Sequence, residues 1–193
     1  MSQAPLTLRR WKRVEYARLV GLGVFENDPV ELIGGQLVVA EPHGTDHASS
    51  ISAVDYAVRA ILPPGWIVRI QLPVSLDEES EPEPDLAVVA GRPADYSRAH
   101  PTRPALLVEV AESSLDFDRH HKGSLYARAG VQDYWIVNLA DRCLEVYRDP
   151  LAEASATYGW RYRSVVSLTR ADVVAPLAFP FARMSVTDLL PSV

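Results

Sequence analysis

Two carboxylates lie in or beside consecutive aliphatic segments of the chain. Asp85 opens the segment DLAVVAG, and Glu109 interrupts the segment LLVEVAE. An ionised carboxylate among aliphatic side chains is strongly unfavourable unless a cation or several hydrogen bonds compensate it. Two carboxylates on neighbouring strands would also repel each other unless a metal neutralises them. The pattern therefore predicts a shared metal ion, and oxygen ligands indicate a hard cation, Mg²⁺ or Mn²⁺.

Two further groups are expected to complete this site. The backbone carbonyl of Val110 is predicted to face the same way as the end of Glu109 and to supply a third oxygen ligand. Lys122 and Lys12 are the two lysines of a chain that has 19 lysines and arginines. An ammonium is compact and shifts its pKa more readily than a guanidinium. Two acids, an ammonium and a divalent ion suit phosphodiester hydrolysis: the cations stabilise charge on phosphorus, and lysine or metal-bound water supplies the hydroxide.

Taken singly, each of these residues also has a structural interpretation. Asp85 could be a turn residue after Pro84, Glu109 could pair with a core arginine, and Lys122 could lie on a solvated helix face. His47 is interpreted as a structural histidine or a phosphate contact rather than a metal ligand. Asp118, one helical turn before Lys122, is predicted to pair with it at i,i+4 spacing. The metal site is favoured by the joint occurrence of the residues.

Hydrophobic periodicity and turn residues place these candidates on elements. Gly34-Gly35 predicts a two-residue hairpin turn, since glycine supplies the positive φ that such turns require. Helices are predicted over 7–22, 45–62 and 114–129, and strands over 66–76, 85–91, 105–112, 131–139, 143–149 and 160–168. The Pro-interrupted C-terminal part is expected to lie along the sheet edge before a last short helix. We therefore predict an α/β (α+β) fold, a mixed β-sheet flanked by helices.

Length and composition limit the classes of protein. A chain of 193 residues, 48% hydrophobic and 23% charged, fits a single domain over 1–193. The formal net charge of −6 argues against coating nucleic acid through bulk charge. Cys143 is the only cysteine, so neither an internal disulfide nor a zinc-ligand spacing is expected. No apolar run approaches the roughly 18 residues needed to cross a bilayer, and the start lacks the apolar region of a secretory signal, which predicts a cytoplasmic protein without a membrane segment.

Five ordered segments resemble a known family. They are VELIGGQLVV at 30–39, PEPDLAVV at 82–89, LLVEVAESS at 106–114, DFDRHHKGSLYARAGVQDYWIVNL at 116–139 and LEVYRDP at 144–150. Together they resemble the Uma family of bacterial restriction endonuclease-like proteins, in the PD-(D/E)XK nuclease superfamily. The resemblance covers nearly the whole chain and implies a restriction endonuclease-like core.

The resemblance also implies roles for particular residues. Asp85 and Glu109 match the metal-binding acids of the superfamily, and Glu31 resembles an auxiliary acid found in some members. The sequence departs from the pattern at Ala111, where the superfamily has lysine, and Lys122 looks like its migrated replacement. The implied activity is Mg²⁺- or Mn²⁺-dependent endonucleolytic hydrolysis of DNA, by a homodimer as is frequent in the superfamily.

Two alternatives remain open from the sequence. A catalytically inactive member could keep the fold as a nucleic-acid-binding or assembly module, which the missing lysine at Ala111 and the acidic net charge favour. A carboxylate-pair hydrolase acting on sugars would need two carboxyl groups but neither metal nor lysine. Metal dependence separates these hypotheses.

Overall fold

The N-terminal part of the protein forms a short helix and a β-hairpin. In a computed structural model, which describes residues 7–26, 28–39 and 44–191, helix α1 spans Arg13–Gly21. Strands β1, Val30–Ile33, and β2, Gln36–Val39, are antiparallel around Gly34 and Gly35, whose φ angles are 55° and 79°. The hairpin prediction is confirmed. The helix predicted over 7–22 begins later, because the chain before it runs beside the hairpin, where Trp11 N–H donates to the Gly35 carbonyl.

A six-stranded mixed sheet forms the centre of the fold. Its spatial order is β3-β4-β5-β6-β7-β8, and every neighbouring pair is antiparallel except β5 and β6, which are parallel. A parallel pair requires a crossover connection, so the helix between β5 and β6 follows from the topology. The strands are Trp66–Ile70 (β3), Leu86–Ala90 (β4), Leu106–Ala111 (β5), Asp133–Asn138 (β6), Cys143–Ala152 (β7) and Trp160–Leu168 (β8). The predicted mixed sheet is confirmed.

The crossover helix, residues 115–128, is wound in three parts. It comprises α3 at Leu115–Phe117, a π-helical turn at Asp118–Lys122, and α4 at Gly123–Arg128. The Gly123 N–H donates to the Asp118 carbonyl, the five-residue spacing that defines a π-turn. A Cβ on Gly123 would lie 3.2 Å from that carbonyl oxygen, so glycine leaves room for the wider turn. π-Turns occur frequently at functional sites.

Apolar side chains cover both faces of the sheet. Helix α2, Thr45–Ile61, packs on one face through Val54 and Val58. The crossover helix covers the other face, where Tyr126 and Tyr134 are fully buried. Because side chains alternate along a strand, Glu109 shares the crossover-helix face with Leu107 and Ala111. The catalytic candidates of β5 are thereby positioned by packing on both sides.

The C-terminal part lies over the sheet face rather than along its edge. It contains β9, Val173–Val174, paired with β10, Met184–Ser185, and a 3₁₀ helix at Val186–Leu189. Val174, Met184 and Leu189 are buried in the core on the α2 side. The prediction of an edge location was wrong, because these apolar side chains cover sheet surface that α2 leaves open. No helix in the described ranges is long and apolar enough to cross a membrane.

Candidate active site

Asp85 and Glu109 meet at the junction of β4 and β5. Leu86 pairs with Val108 in the antiparallel register, so Asp85, immediately before β4, lies next to Glu109. The Asp85 N–H is 3.4 Å from Glu109 Oε2, and both residues are at least 94% buried, with 6% and 3% of their surfaces exposed. The predicted proximity of the two acids is present in the structure.

The crossover helix brings Lys122 to the same place. Its Nζ lies 3.1 Å from Glu109 Oε1 and 3.5 Å from Glu31 Oε1, and only 7% of Lys122 is exposed. Glu31 comes from β1 of the hairpin, and its Oε2 accepts the Glu83 N–H at 3.0 Å. Lys122 is therefore not on a solvated helix face. Four residues predicted from separate segments, Glu31, Asp85, Glu109 and Lys122, form one buried cluster.

Asp85 and Val110 share a histidine neighbour. Asp85 Oδ2 accepts the Val110 N–H at 2.8 Å and lies 3.4 Å from His47 Nε2. The same His47 nitrogen is 2.5 Å from the Val110 carbonyl oxygen, the atom predicted to be a metal ligand. Asp85 Oδ1 is 3.4 Å from Gln71 Nε2. His47 thus reaches the predicted site from the first turn of α2. In the sequence, the one feature that drew attention to His47 was its position at the start of an amphipathic helix.

Tyr126 is a member of the cluster that the sequence analysis missed. Its hydroxyl donates to Glu109 Oε1 at 2.6 Å, on the same oxygen that Lys122 approaches. Tyr126 follows Lys122 by four residues, which is the spacing of neighbours on one helix face. That spacing was visible in the sequence, but tyrosine there is equally typical of a core position.

The π-turn carries several anchors besides Lys122. Arg119 forms an ion pair with the buried Glu145 of β7, with Nε 3.0 Å from Oε2. The Tyr134 hydroxyl donates to the Asp118 carbonyl at 3.1 Å. The Asp118 carboxylate accepts from Ser114 Oγ at 2.6 Å and makes no ion pair with Lys122. The predicted i,i+4 pair is therefore not a contact within 4 Å, although the charge of Lys122 opposes the rise in the Asp118 pKa that burial causes.

Burial and mutual charge shift the pKa values of the cluster. Burial lowers the pKa of Lys122, but Glu109, Glu31 and the other nearby carboxylates raise it further, so the net pKa is raised and the amine stays protonated. Burial raises the pKa of Glu109 well above its ordinary value, and Lys122 only partly opposes this. Asp85 differs: burial alone would raise its pKa, yet hydrogen bonds from His47 and Val110 lower it overall. Asp85 therefore favours its ionised form.

Comparison with known proteins identifies the family and the fold of this chain. A model of the Uma2 family, described as "Putative restriction endonuclease", matches residues 13–187. The chain belongs to the Uma2 family. A crystal structure of "a putative nuclease belonging to DUF820" from Anabaena variabilis superposes with a TM-score of 0.62 at 14% identity, covering 83% of this chain and 88% of that one. At this identity the likeness shows a common fold. The search of curated proteins gave no match.

The buried cluster around Lys122 is rich in carboxylates. Glu31, Glu83, Asp85, Glu109 and Asp118 interact electrostatically with one another around a single ammonium, that of Lys122. Burial, followed by repulsion from neighbouring carboxylates, raises the pKa of Glu83, and burial also raises that of Asp118. Within the described ranges, no three His, Cys, Asp or Glu side chains are already grouped as a metal cluster. A cation held here would therefore use backbone or water oxygens as well.

Proposed function

We propose that the protein is a divalent-metal-dependent endonuclease that hydrolyses DNA phosphodiester bonds. The observation that carries the proposal is the buried contact of Lys122 Nζ with Glu109 Oε1, 3.1 Å apart, beside Asp85. Burying an ammonium among acids from three separate elements costs desolvation free energy, so the cluster is not explained by a gain in folding stability. Membership of the Uma2 family supports nuclease chemistry independently.

The residues of the cluster divide the work of phosphodiester hydrolysis. Asp85, Glu109 and the Val110 carbonyl would hold Mg²⁺ or Mn²⁺, which when bound would supply positive charge at the scissile phosphate and make the attacking water more acidic. Lys122 is protonated, because surrounding carboxylates raise its pKa, so it acts as a stabiliser of developing negative charge rather than as a base. Glu31 holds the amine in place through its 3.5 Å contact. Tyr126 orients the Glu109 carboxylate.

Cleavage of supercoiled plasmid in the presence of Mg²⁺ or Mn²⁺ tests this proposal. Substituting Asp85→Asn, Glu109→Gln or Lys122→Met is expected to reduce the cleavage rate by about 10²–10³-fold, the usual cost of losing one transition-state contact. Lys12→Met is the matched control, since the only other lysine pairs with Glu79 on the surface. Cleavage that persists unchanged in Asp85→Asn would contradict the proposal and indicate a contaminating nuclease.

A second candidate is a nuclease-fold module that binds nucleic acid or assembles with partners without cleaving. It is favoured by Ala111, where the superfamily pattern has lysine, and by the net charge of −6. In the structure, Ala111 is fully buried on the face that carries Glu109, and Lys122 reaches Glu109 from the helix instead. Binding of a divalent ion by calorimetry, with no plasmid cleavage under any metal, would support this module over the nuclease.

We also propose that the functional form is a homodimer. Within the described sheet, β8 lies at the edge and leaves one side of a nine-residue strand without a neighbouring strand. Val165 and Val166 on this strand are 52% and 49% exposed. An open strand edge that carries exposed apolar side chains can pair with another chain. Light scattering after size exclusion is expected to give twice the monomer mass of 21.3 kDa, and Val165→Lys is expected to yield monomers.

A further inference from the structure

We propose that the connection between β4 and β5, residues 91–104, forms with Arg69 the surface that binds the phosphate backbone of duplex DNA. We call this connection the basic loop. The inference rests on the proposed function, because it assigns the surface that holds the same substrate. It goes beyond that function by locating the surface in a segment that contains none of the residues of the buried cluster.

The basic loop is opposite in charge to the chain as a whole. Its sequence, GRPADYSRAHPTRP, has three arginines and one histidine against a single aspartate, whereas the whole chain has a formal charge of −6. Arg92, Arg98, His100 and Arg103 are all exposed. A local excess of positive charge on an acidic protein attracts a polyanion to that part of the surface.

Two arginines of the basic loop have no carboxylate partner in the described ranges. Arg92 pairs with Asp95, with Nη2 3.6 Å from Oδ1, but Arg98 and Arg103 form no ion pair with a described residue. A guanidinium that lacks a carboxylate partner keeps its donors available to a phosphate, which accepts them in a bidentate geometry. We therefore assign the main phosphate contacts to Arg98 and Arg103.

Hydrogen bonds and buried prolines anchor the basic loop to the rest of the fold. The Tyr96 hydroxyl donates to the Ala90 carbonyl at 2.5 Å, and the Ser75 N–H donates to the Pro101 carbonyl at 2.9 Å. Pro101 and Pro104 are buried. Connections longer than about 12 residues are usually either functional or disordered. Because this one is anchored, its arginines lose less conformational entropy on binding than those of a free loop would.

Arg69 extends the same positive surface from the basic loop toward the buried cluster. It lies on β3, and its guanidinium stacks over the Tyr96 ring, 5.4 Å from the centroid. Its Nη2 is 3.4 Å from the Pro73 carbonyl oxygen, and its buried Nε has no hydrogen-bond partner among the described residues. Burial lowers the pKa of Arg69. A partly buried cation without a carboxylate partner would be compensated by an external anion.

The distance between the cluster and the basic loop is one that a single duplex can span. Strand β4 separates Asp85 from Gly91, a path of about 20 Å at about 3.3 Å per residue. Arg69 pairs with Ala87, which lies on the same sheet face as Glu109. Each DNA strand has one phosphate per about 3.4 Å of helix axis. A duplex with its scissile bond at the cluster therefore presents several further phosphates to Arg69 and the basic loop.

The salt dependence of duplex binding tests the basic loop. Fluorescence anisotropy of a labelled duplex in Ca²⁺ is measured at a series of NaCl concentrations for wild type and for the double variant Arg98→Gln/Arg103→Gln. We expect the variant to bind at least about tenfold more weakly near physiological salt. The slope of log affinity against log salt should fall by about 2, because each phosphate contact accounts for about 0.9.

The matched control is Arg18→Gln/Arg183→Gln. Both arginines are exposed, neither pairs with a described carboxylate, and the change in net charge is the same. We expect this control to keep the wild-type slope. Equal slopes and affinities in wild type and the loop variant would overturn the inference, and plasmid cleavage by that wild type would leave the proposed function standing. Loop-dependent duplex binding without cleavage under any divalent ion would support the surface and contradict the nuclease.

A pair of substitutions at Arg69 separates a phosphate contact from a structural role. Arg69→Gln is expected to lower the salt slope by about 1, and Arg69→Lys, which keeps the charge, is expected to restore it. A lower melting temperature of Arg69→Gln with an unchanged slope would exclude Arg69 from the DNA surface.

Anionic vesicles test the other polyanionic partner that a basic loop could bind. We expect no co-sedimentation of wild type with phosphatidylglycerol vesicles. Co-sedimentation that is lost in Arg98→Gln/Arg103→Gln, together with duplex binding that is unchanged, would assign the basic loop to a lipid surface and overturn the inference.

Discussion

At the scale of single residues, the cluster is a balance between buried charges of opposite sign. Lys122 lies between Glu109 and Glu31 with 7% of its surface exposed. Buried charges are tolerated only when partners compensate them, so each member depends on the others. The side chains proposed to act in hydrolysis are therefore the same ones whose ion pairs affect the stability of the fold.

Removal of the Lys122 amine should destabilise the metal-free protein. In Lys122→Met, Glu31 and Glu109 lose their cation, and breaking a buried ion pair typically costs about 3–5 kcal/mol of unfolding free energy. Urea unfolding in the presence of EDTA measures the loss. Lys12→Met, at the exposed surface pair with Glu79, is expected to unfold like the wild type. Equal stability of the two variants would show that Lys122 does not compensate the acids.

The pH dependence of stability should reflect the raised pKa of Asp118. Burial is the main cause of this shift; the charge of Lys122 and the hydrogen bond from Ser114 oppose it, and repulsion from Asp85 and Glu31 adds to it. A carboxyl with a raised folded-state pKa contributes stability fully below its unfolded pKa and loses that contribution as pH rises through the folded value. The contribution of Asp118 therefore falls as pH increases above the ordinary value of 3.8.

The substitution Asp118→Asn removes this titration. We expect the melting temperature of the metal-free variant to fall less steeply than that of wild type over the same rise in pH. Thermal melts followed by circular dichroism at a series of pH values compare the two slopes. Glu153→Gln, on an exposed carboxylate paired with Arg161, is a suitable control. Parallel curves for wild type and Asp118→Asn would show that Asp118 does not titrate differently in the folded state.

At the scale of elements, the cluster is formed by residues from three separate secondary-structure units. The β1–β2 hairpin supplies Glu31, the β4–β5 pair supplies the two metal-ligand candidates, and the π-turn of the crossover helix supplies Lys122. The hairpin is bonded to the rest of the fold through the Gly35 N–H and the Glu79 carbonyl, 2.7 Å apart. The position of Glu31 therefore depends on the hairpin turn.

Gly34→Ala should disturb this hairpin. Gly34 has a φ of 55°, and an added Cβ would lie 2.3 Å from Cε1 of the Tyr158 ring, so the change introduces both backbone strain and a clash. We expect about 2 kcal/mol of destabilisation in chemical denaturation, the typical size for such backbone effects. Gly159→Ala separates the two causes, since its φ is 75° and nothing lies within 4 Å of the added Cβ. An equal loss in both variants would exclude a contribution from the clash.

At the scale of the whole molecule, the acidic net charge sets a condition on DNA binding. A protein with a formal charge of −6 repels a polyanion unless local cations offset that repulsion. The cluster itself carries more carboxylates than cations. We therefore expect a phosphate to approach the cluster only when a divalent ion has neutralised part of this charge.

DNA affinity should therefore depend on a divalent ion even without cleavage. Fluorescence anisotropy of a labelled duplex, measured with EDTA or with Ca²⁺ at constant ionic strength, is expected to show at least about tenfold tighter binding with the ion. Asp85→Asn should abolish most of this gain, whereas Lys12→Met should retain it. Equal affinity in EDTA and in Ca²⁺ would indicate a DNA surface separate from the acidic cluster.

Local sequence patterns were sufficient to predict many of the secondary-structure elements of this protein. The Gly34-Gly35 turn and the aliphatic strands around Asp85 and Glu109 follow from φ preferences and side-chain alternation, which act over a few residues. The crossover helix follows as well, since a helical pattern lies between two apolar strands. These signals were sufficient for the mixed sheet and for the proximity of the two acids.

Only the tertiary structure decided which distant groups complete the cluster. The direction of the Lys122 amine depends on a π-turn that Arg119, Tyr134 and Gly123 stabilise from separate elements. His47 arrives from α2 on the opposite side of the sheet, and the C-terminal segment covers the face rather than the edge. Periodicity specifies which face of its own element a residue occupies. It does not specify which other element packs there, because that choice depends on the shape and burial of the whole core.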